Sequence, residues 1–148
     1  MGIQFRDAGA ADVGELLAMM RELYEHDGVP FDEARSRNGS LELMSSPEQG
    51  RLWVMEVSGM VAGYCVLTYG FSIEYHGRHG FIDELFVRED FRGCGMGTAA
   101  VEHATAACRE QGVKVILLEV AFENERAHAL YSRLGFAEHG RRLMSRGI

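Results

Sequence analysis

The chain has 148 residues, of which 47% are hydrophobic and 25% are charged, and this apolar content excludes a disordered chain. Its 15 basic and 22 acidic side chains give a net charge of −7, which argues against a general nucleic-acid binder. No stretch approaches the roughly 20 apolar residues of a membrane-spanning helix, the N-terminus carries no signal segment, and the three cysteines form no disulfide framework. We therefore expect a cytoplasmic protein with one domain over residues 1–148, and neither nucleic acid nor a membrane as a partner.

The first half of the chain predicts a strand, two helices and a hairpin. These elements span residues 3–6, 12–28, 31–46, 52–57 and 61–69. Asp12 begins the first helix as its cap, with Glu15 as the reciprocal partner. The second helix is short and has a polar break at Asn38-Gly39, and a tight turn at 58–59 joins the two strands of the hairpin.

The second half of the chain alternates strands and helices around a glycine-rich loop. The predicted order is a strand at 81–87, the loop at 92–97, a helix at 98–111, a strand at 113–121, a helix that begins at Asn124 and ends at Gly135, and one or two final strands. This order predicts a mixed α/β sheet that is antiparallel in its first half and has a βαβ-like crossover in its second half.

The glycine-rich loop is the most specific feature of the sequence. Closely spaced glycines let the backbone turn sharply and present several N–H groups to one anion, and the start of the following helix adds further donors. A Walker loop would need a lysine directly after Gly97, and a dinucleotide-binding loop would need a glycine in place of Thr98. The loop therefore predicts a phosphate site that fits neither nucleotide motif, unless it is a plain turn that starts a helix.

Two separate motifs resemble those of the GCN5-related N-acetyltransferase (GNAT) family. The first motif is Arg92-x-x-Gly95-x-Gly97, after an apolar strand that contains acidic residues. The second is Asn124-x-x-Ala127-x-x-Leu130-Tyr131-x-x-Leu134-Gly135-Phe136. The resemblance implies a GNAT-type acyl-CoA N-acyltransferase fold, in which about four helices flank a mostly antiparallel sheet that is splayed at its two middle strands. It also implies acetyl-CoA as the co-substrate and no metal.

The resemblance assigns cofactor contacts to three segments of the chain. Backbone amides of the loop would bind the pyrophosphate of coenzyme A, and the pantetheine arm would run like an added strand beside residues 85–87. The last helix would contribute through Asn124, which would contact the pantetheine arm. The residues implied are Leu85, Phe86, Val87, Arg92, Gly93, Cys94, Gly95, Met96, Gly97, Thr98, Asn124, Ala127, Tyr131 and Arg133.

An acidic pair and a tyrosine are candidates for the two proton transfers that amide formation needs. Asp83 and Glu84 are the base candidates because they lie side by side in an otherwise apolar strand, where burial or a like charge would raise their pKa values. Alternation would point them to opposite faces unless a bulge intervenes, so one of them can be a structural carboxylate. We expect Glu84 to be the base. Tyr131 is the expected acid by the resemblance, with core packing as its alternative role.

Acidic and aromatic side chains also suggest a cationic acceptor. Carboxylates and rings together suit an amine through charge pairing and cation–π contact. The candidate substrate residues are Tyr24, Asp27, Phe31, Tyr75 and Glu119. We therefore predict an N-acetyltransferase in which a small polyamine-like primary amine attacks acetyl-CoA directly in a ternary complex. A protein N-acetyltransferase and a non-catalytic acetyl-CoA-binding sensor are the alternatives, and the resemblance allows a homodimer.

Overall fold

The computed structural model describes residues 2–148, which form a five-stranded sheet and four α-helices. The strands are β1 (Ile3–Asp7), β2 (Gly50–Val57), β3 (Met60–Ser72), β4 (Gly77–Val87) and β5 (Ile116–Leu118). The helices are α1 (Val13–Asp27), α2 (Glu33–Met44), α3 (Met96–Glu110) and α4 (Glu125–Arg133). None of the helices formed by residues 2–148 is long and apolar enough to cross a membrane.

The sheet is mixed, as the sequence predicts. Its strands lie in the order β1-β2-β3-β4-β5, so strands that follow one another in the chain are also neighbours in the sheet. The first four strands are antiparallel, and β5 runs parallel to β4 after the crossover through α3. The β2–β3 turn is formed by Ser58 and Gly59, whose φ angles of 52° and 77° suit a two-residue hairpin turn.

Each face of the sheet buries a hydrophobic cluster beneath helices. Because side chains alternate along a strand, β2 directs Trp53 to the side covered by α3 and Val54 to the side covered by α1. Helix α3 packs on the first side through Val101, and α1 packs on the second through Leu16. Burying one such side chain contributes roughly 1.5–3 kcal/mol, so the two clusters hold the helices on the sheet.

Two predictions about the helices in the first half are wrong. Helix α2 continues through Asn38 and Gly39 without a break. Both residues are exposed, and Ser40 next to them is buried against Met20 of α1, so packing outweighs their low helix propensity. Asp12 does precede α1, but its side chain accepts a hydrogen bond from the Gly9 N–H and pairs with an arginine of β1, instead of capping α1.

The predicted strands near the C-terminus are shorter than expected or absent. Strand β5 covers only the centre of the predicted strand at 113–121. Residues 136–148, all of which the structure describes, form no strand. From residue 137 onward every side chain of this segment is exposed, so no apolar face draws it onto the sheet.

The sheet opens between β4 and β5. These strands pair only through residues 80–82 and 116–118, whereas β4 continues to Val87 and stays paired with β3. Residues 83–87 therefore have one backbone edge that β5 does not cover. The resemblance implies a splay at the two middle strands, whereas the opening here lies between β4 and the edge strand β5.

Candidate active site

An extra residue in β4 decides which way its acidic pair points. Val66 pairs with Glu84 and Leu67 pairs with Ile82, so Asp83 is the additional residue of a β-bulge. Before the bulge, Ile82 faces the α3 side of the sheet. Strict alternation would send Glu84 to that same side, but the bulge shifts the register by one residue and turns Glu84 toward α1.

Two tyrosines hold the Glu84 carboxylate. The Tyr24 hydroxyl, from α1, donates a hydrogen bond to Oε2 at 2.5 Å, and the Tyr64 hydroxyl, from β3, donates to Oε1 at 2.7 Å. Tyr64 is fully buried, whereas Tyr24 is half-buried. Tyr64 is not among the predicted site residues. The signal that points to it is a phenol within an apolar strand, because a buried hydroxyl needs a hydrogen-bond partner.

The electrostatic surroundings favour protonation of both carboxyl groups of the pair. Burial raises the pKa of Glu84; the hydrogen bonds from Tyr24 and Tyr64 oppose this shift without cancelling it, and the charges of Asp83 and Asp27 add to it. Desolvation by the surrounding protein also raises the pKa of Asp83, although the residue is exposed, and its carboxylate has no hydrogen-bond partner in the described part of the chain. A carboxylate with a raised pKa is a stronger base near neutral pH, so both groups suit proton abstraction.

An aromatic corner lies beside the acidic pair. The rings of Tyr24 and Phe31 meet edge to face, with centroids 5.7 Å apart, and the Arg21 guanidinium lies 4.7 Å from the centroid of the Phe31 ring. Asp27, close to one turn further along α1, is exposed, and its charge acts on Glu84. The structure therefore brings three of the predicted substrate residues together next to Glu84.

The glycine-rich loop connects a short 3-10 turn at Glu89–Phe91 to α3. Gly93 and Gly95 have φ angles of 76° and 81°, in the left-handed region that favours glycine. Gly95 is the N-cap of α3, so the first N–H groups of that helix point into the loop and can bind an anion. The Arg92 side chain donates from Nε to the carbonyl oxygen of Val87 at 2.8 Å, which ties the loop to the end of β4.

Helix α4 packs against the start of α3 and adds a positive charge to the loop. A Cβ on Gly97 would lie 2.9 Å from Cδ2 of Leu130, so the missing side chain allows this close approach. Nη2 of Arg126 lies 3.9 Å from the position of a Cβ on Gly93. The Asn124 side chain accepts a backbone hydrogen bond in the first turn of α4 at 3.1 Å, which confirms the predicted cap.

Tyr131 lies on the opposite side of the sheet from Glu84. Its ring packs against Phe136, with centroids 5.9 Å apart, and against the cluster beneath α3. Burial raises the pKa of Tyr131, with a smaller contribution from Cys65, whose own pKa burial raises to about 12. The Tyr131 hydroxyl makes no hydrogen bond to any residue in the range 2–148. Tyr131 is therefore a protonated phenol at neutral pH, and it also packs in the core.

The remaining predicted residues are more dispersed. Tyr75 lies in the β3–β4 loop, roughly 20 Å along β4 from the acidic pair, and its hydroxyl is 3.1 Å from Nδ1 of His139. Glu119 is exposed directly after β5, on the side where the sheet opens. On α4, Ala127 is half-buried and Arg133 is exposed in the last turn. The structure does not bring Tyr75 into the group around Glu84.

Known proteins resemble this chain in sequence and in structure. The sequence model of the Acetyltransferase (GNAT) family matches residues 17–136. An uncharacterized N-acetyltransferase of Methanocaldococcus jannaschii is 36% identical over 97 residues, which cover 65% of this chain and 42% of that protein. The thialysine N-epsilon-acetyltransferase of Bos taurus is 26% identical over 142 residues, which cover 90% of this chain and 83% of that protein. An integron cassette protein from the Cole Harbour Salt Marsh metagenome has a crystal structure with a TM-score of 0.85 and 36% identity, and the match covers 98% of this chain and 90% of that one.

The match to the family covers most of the chain, from the middle of α1 to the end of the second motif. The chain therefore belongs to the acetyltransferase (GNAT) family, whose members use acetyl-CoA. It is an N-acetyltransferase, as its relatives are named, and both the resemblance and the enzyme class predicted from the sequence are confirmed. The cytoplasmic location, the homodimer and the single domain over residues 1–148 stay predictions.

Proposed function

We propose that the chain acetylates the primary amine of small, positively charged, polyamine-like molecules, with acetyl-CoA as the donor. The observation that carries the proposal is the Glu84 carboxylate, which the bulge turns toward α1 and two phenols orient, near the point where β5 leaves β4. A base fixed at this opening can deprotonate an amine while the acetyl donor is bound beside it. This arrangement supports direct transfer in a ternary complex.

Acetyl-CoA binds, in this proposal, along the open edge of β4. The loop and the first N–H groups of α3 take the pyrophosphate, and Arg126 supplies a positive charge next to them. The pantetheine arm pairs with the backbone of residues 85–87, which β5 does not cover. Asn124, at the start of α4, contacts the pantetheine arm in this proposal, as the resemblance implies. The other proposed cofactor residues are those that the resemblance implies.

The proposed reaction forms an amide bond and breaks a thioester bond. A proton of the substrate ammonium ends on Glu84, and the freed nitrogen attacks the acetyl carbonyl carbon. The thiolate of coenzyme A then leaves the tetrahedral intermediate and receives a proton from Tyr131, which in this proposal acts from the α3 side of the opening while Glu84 acts from the α1 side. Burial raises the pKa of Tyr131, so this phenol is protonated when the thiolate departs.

The preference for a cation follows from the charges around the aromatic corner. Asp27, Asp83 and Glu84 place three carboxyl groups near the rings of Tyr24 and Phe31, and they outnumber the positive charge that the Arg21 guanidinium places over the Phe31 ring. The net charge of −7 also attracts cations over longer distances. The bovine relative is named a thialysine N-epsilon-acetyltransferase, which supports a small amine as the acceptor.

The test of the substrate class is thiol release from acetyl-CoA with a panel of amines. A linear diamine is compared with the monoamine of the same chain length, and short peptides form a third group. We expect kcat/KM to be about tenfold higher for the diamine, because a second ammonium group gains about 1.4 kcal/mol from the remaining carboxylates. Equal values would refute the cationic preference. Turnover with peptides alone would identify a protein acetyltransferase, and acetyl-CoA binding without turnover would identify a sensor.

The test of the base uses Glu84→Gln and Asp83→Asn as a matched pair. Each variant removes one negative charge from the bulge and keeps the size of the side chain. We expect Glu84→Gln to lower kcat by about 100-fold or more and to leave the affinity for acetyl-CoA unchanged, since Glu84 faces α1. Asp83→Asn should have a smaller effect on kcat. The opposite order of effects would assign the base to Asp83.

A further inference from the structure

We propose that the Tyr24 hydroxyl carries the proton from the substrate ammonium to Glu84, so that a phenol relays the proton and the carboxylate does not take it directly. This inference rests on the proposed amine acetylation and adds a proton path to the same site. Its starting point is the 2.5 Å hydrogen bond that Tyr24 donates to Oε2 of Glu84.

The two oxygens of Glu84 have different surroundings. Oε1 accepts from Tyr64, which is 0% exposed, so β3 and the core close this side. Oε2 accepts from Tyr24, which is half-buried and belongs to α1. In the proposed path an amine approaches on the α1 side and meets the Tyr24 hydroxyl before it meets Glu84.

Tyr24 is held in an orientation that suits a relay. Its ring lies edge to face against Phe31 at 76°, which restricts the ring, and the hydrogen bond to Glu84 orients the hydroxyl group. No residue from 2 to 148 donates a hydrogen bond to the phenol oxygen, which leaves its lone pairs for an ammonium N–H group. A phenol can accept one hydrogen bond while it donates another, as a relay requires.

The transfer moves two protons and leaves the tyrosine unchanged. The ammonium N–H bond breaks, its electron pair stays on the nitrogen, and its proton bonds to the Tyr24 oxygen. At the same time the original Tyr24 O–H bond breaks and that proton bonds to Oε2 of Glu84. The products are a neutral amine, an intact phenol and a neutral carboxylic acid, so no further reactant is needed.

The groups around Glu84 keep the Tyr24 phenol protonated until the amine arrives. Tyr24 and Asp27 face Glu84 from α1, Tyr64 faces it from β3, and Asp83 lies next to it in β4. Burial, the hydrogen bond to Glu84 and the charges of Glu84 and Asp83 all raise the pKa of Tyr24. The phenol therefore does not ionise alone at neutral pH. It gives up its proton only as it receives another.

Tyr24→Phe and Tyr64→Phe form the matched pair that tests this path, since each removes one hydroxyl from the same carboxylate and keeps the ring. The measurement is kcat and KM for the preferred amine across the pH range, with thermal unfolding and acetyl-CoA binding to show that both variants fold. Both variants should move the acid limb of kcat to higher pH, because each loses a hydrogen bond that stabilises the ionised carboxylate. Only Tyr24→Phe should lose the relay, so its kcat plateau should lie about 100-fold below that of Tyr64→Phe, with little change in the KM for the amine.

Three outcomes would overturn the relay. Equal kcat plateaus in the two variants would leave Tyr24 with a positioning role only. A raised KM for the amine with an unchanged plateau would make Tyr24 a binding contact. A wild-type protein that binds acetyl-CoA but acetylates no amine would overturn the proposed function and the relay together. This third result differs from failure of the relay alone, in which the wild type stays active.

Discussion

Gly63 in β3 is a position where one added methyl group should cost considerable stability. A Cβ at Gly63 would overlap the carbonyl oxygen of Phe86 and would lie 2.7 Å from Cε of Met55, whereas ordinary contact begins at 3.4 Å. Met55 has a flexible end that can turn away, but the Phe86 oxygen belongs to the backbone of β4. The two strands must therefore move apart where they are paired. We expect Gly63→Ala to lower the free energy of unfolding by about 2–3 kcal/mol, the upper part of the range for overpacked cores.

Gly39 offers the matched control for this substitution. It lies within α2 on an exposed position, and no atom outside its chain neighbours and the backbone of its own helix lies within 4 Å of its Cβ position. Gly39→Ala should therefore stabilise the protein by up to about 1 kcal/mol through helix propensity alone. Thermal unfolding followed by circular dichroism should show Gly63→Ala lower in Tm by about 4–12 °C and Gly39→Ala slightly higher than wild type. Equal Tm values for the two variants would refute the steric argument.

Two further predictions concern a helix cap and a buried charge. Asn124→Ala removes the side-chain cap of α4, and Asp32→Ala removes that of α2. Each variant should lower the free energy of unfolding by about 1 kcal/mol in urea titrations. Only Asn124→Ala should also raise the KM for acetyl-CoA, and an equal KM in the two variants would contradict the proposed pantetheine contact. The raised pKa of Glu84 means that the folded state binds this proton more tightly than the unfolded state. The stability that this proton contributes is complete below about pH 4 and is lost as the pH rises through the folded pKa, so Glu84→Gln should gain stability relative to wild type as the pH rises from 4 to 8 in urea titrations. A constant difference across that range would show that Glu84 is not perturbed.

The elements that could be predicted are those with a strong local pattern. Helix α1, the β2–β3 hairpin and α3 follow from apolar spacing and from glycines at their ends. The local sequence could not show that α2 is continuous. Asn38 and Gly39 favour a break, but the buried Ser40 next to them holds the helix against α1. Whether residues 136–148 form strands depends on contacts across the molecule. Their sequence has no pattern that excludes the predicted final strands.

In the candidate site, too, the sequence predicts what depends on local pattern and not what depends on contacts between strands. Asp83 and Glu84 could be named from the sequence because charges are rare in an apolar strand. The sequence could not show which of them turns toward α1, because a bulge arises from pairing with β3 and not from the residues of β4 alone. Tyr64 went unnamed for the same reason, because its contact with Glu84 exists only in the shifted register. Tyr24 was named for its aromatic ring, and its hydrogen bond to Glu84 appears only in three dimensions.

The uncovered edge of β4 also has a thermodynamic consequence. Along residues 83–87 the strand is bonded to β3 but not to β5, so the backbone groups on that edge are open to solvent or to a bound molecule, apart from the Val87 carbonyl, which accepts from Arg92. A ligand that pairs with this edge does so only when the chain is folded. By mass action it adds about 2.7 kcal/mol to the free energy of unfolding at 100 times its Kd. The thermal stability of the protein therefore rises with the concentration of that ligand and is not a fixed property of the chain.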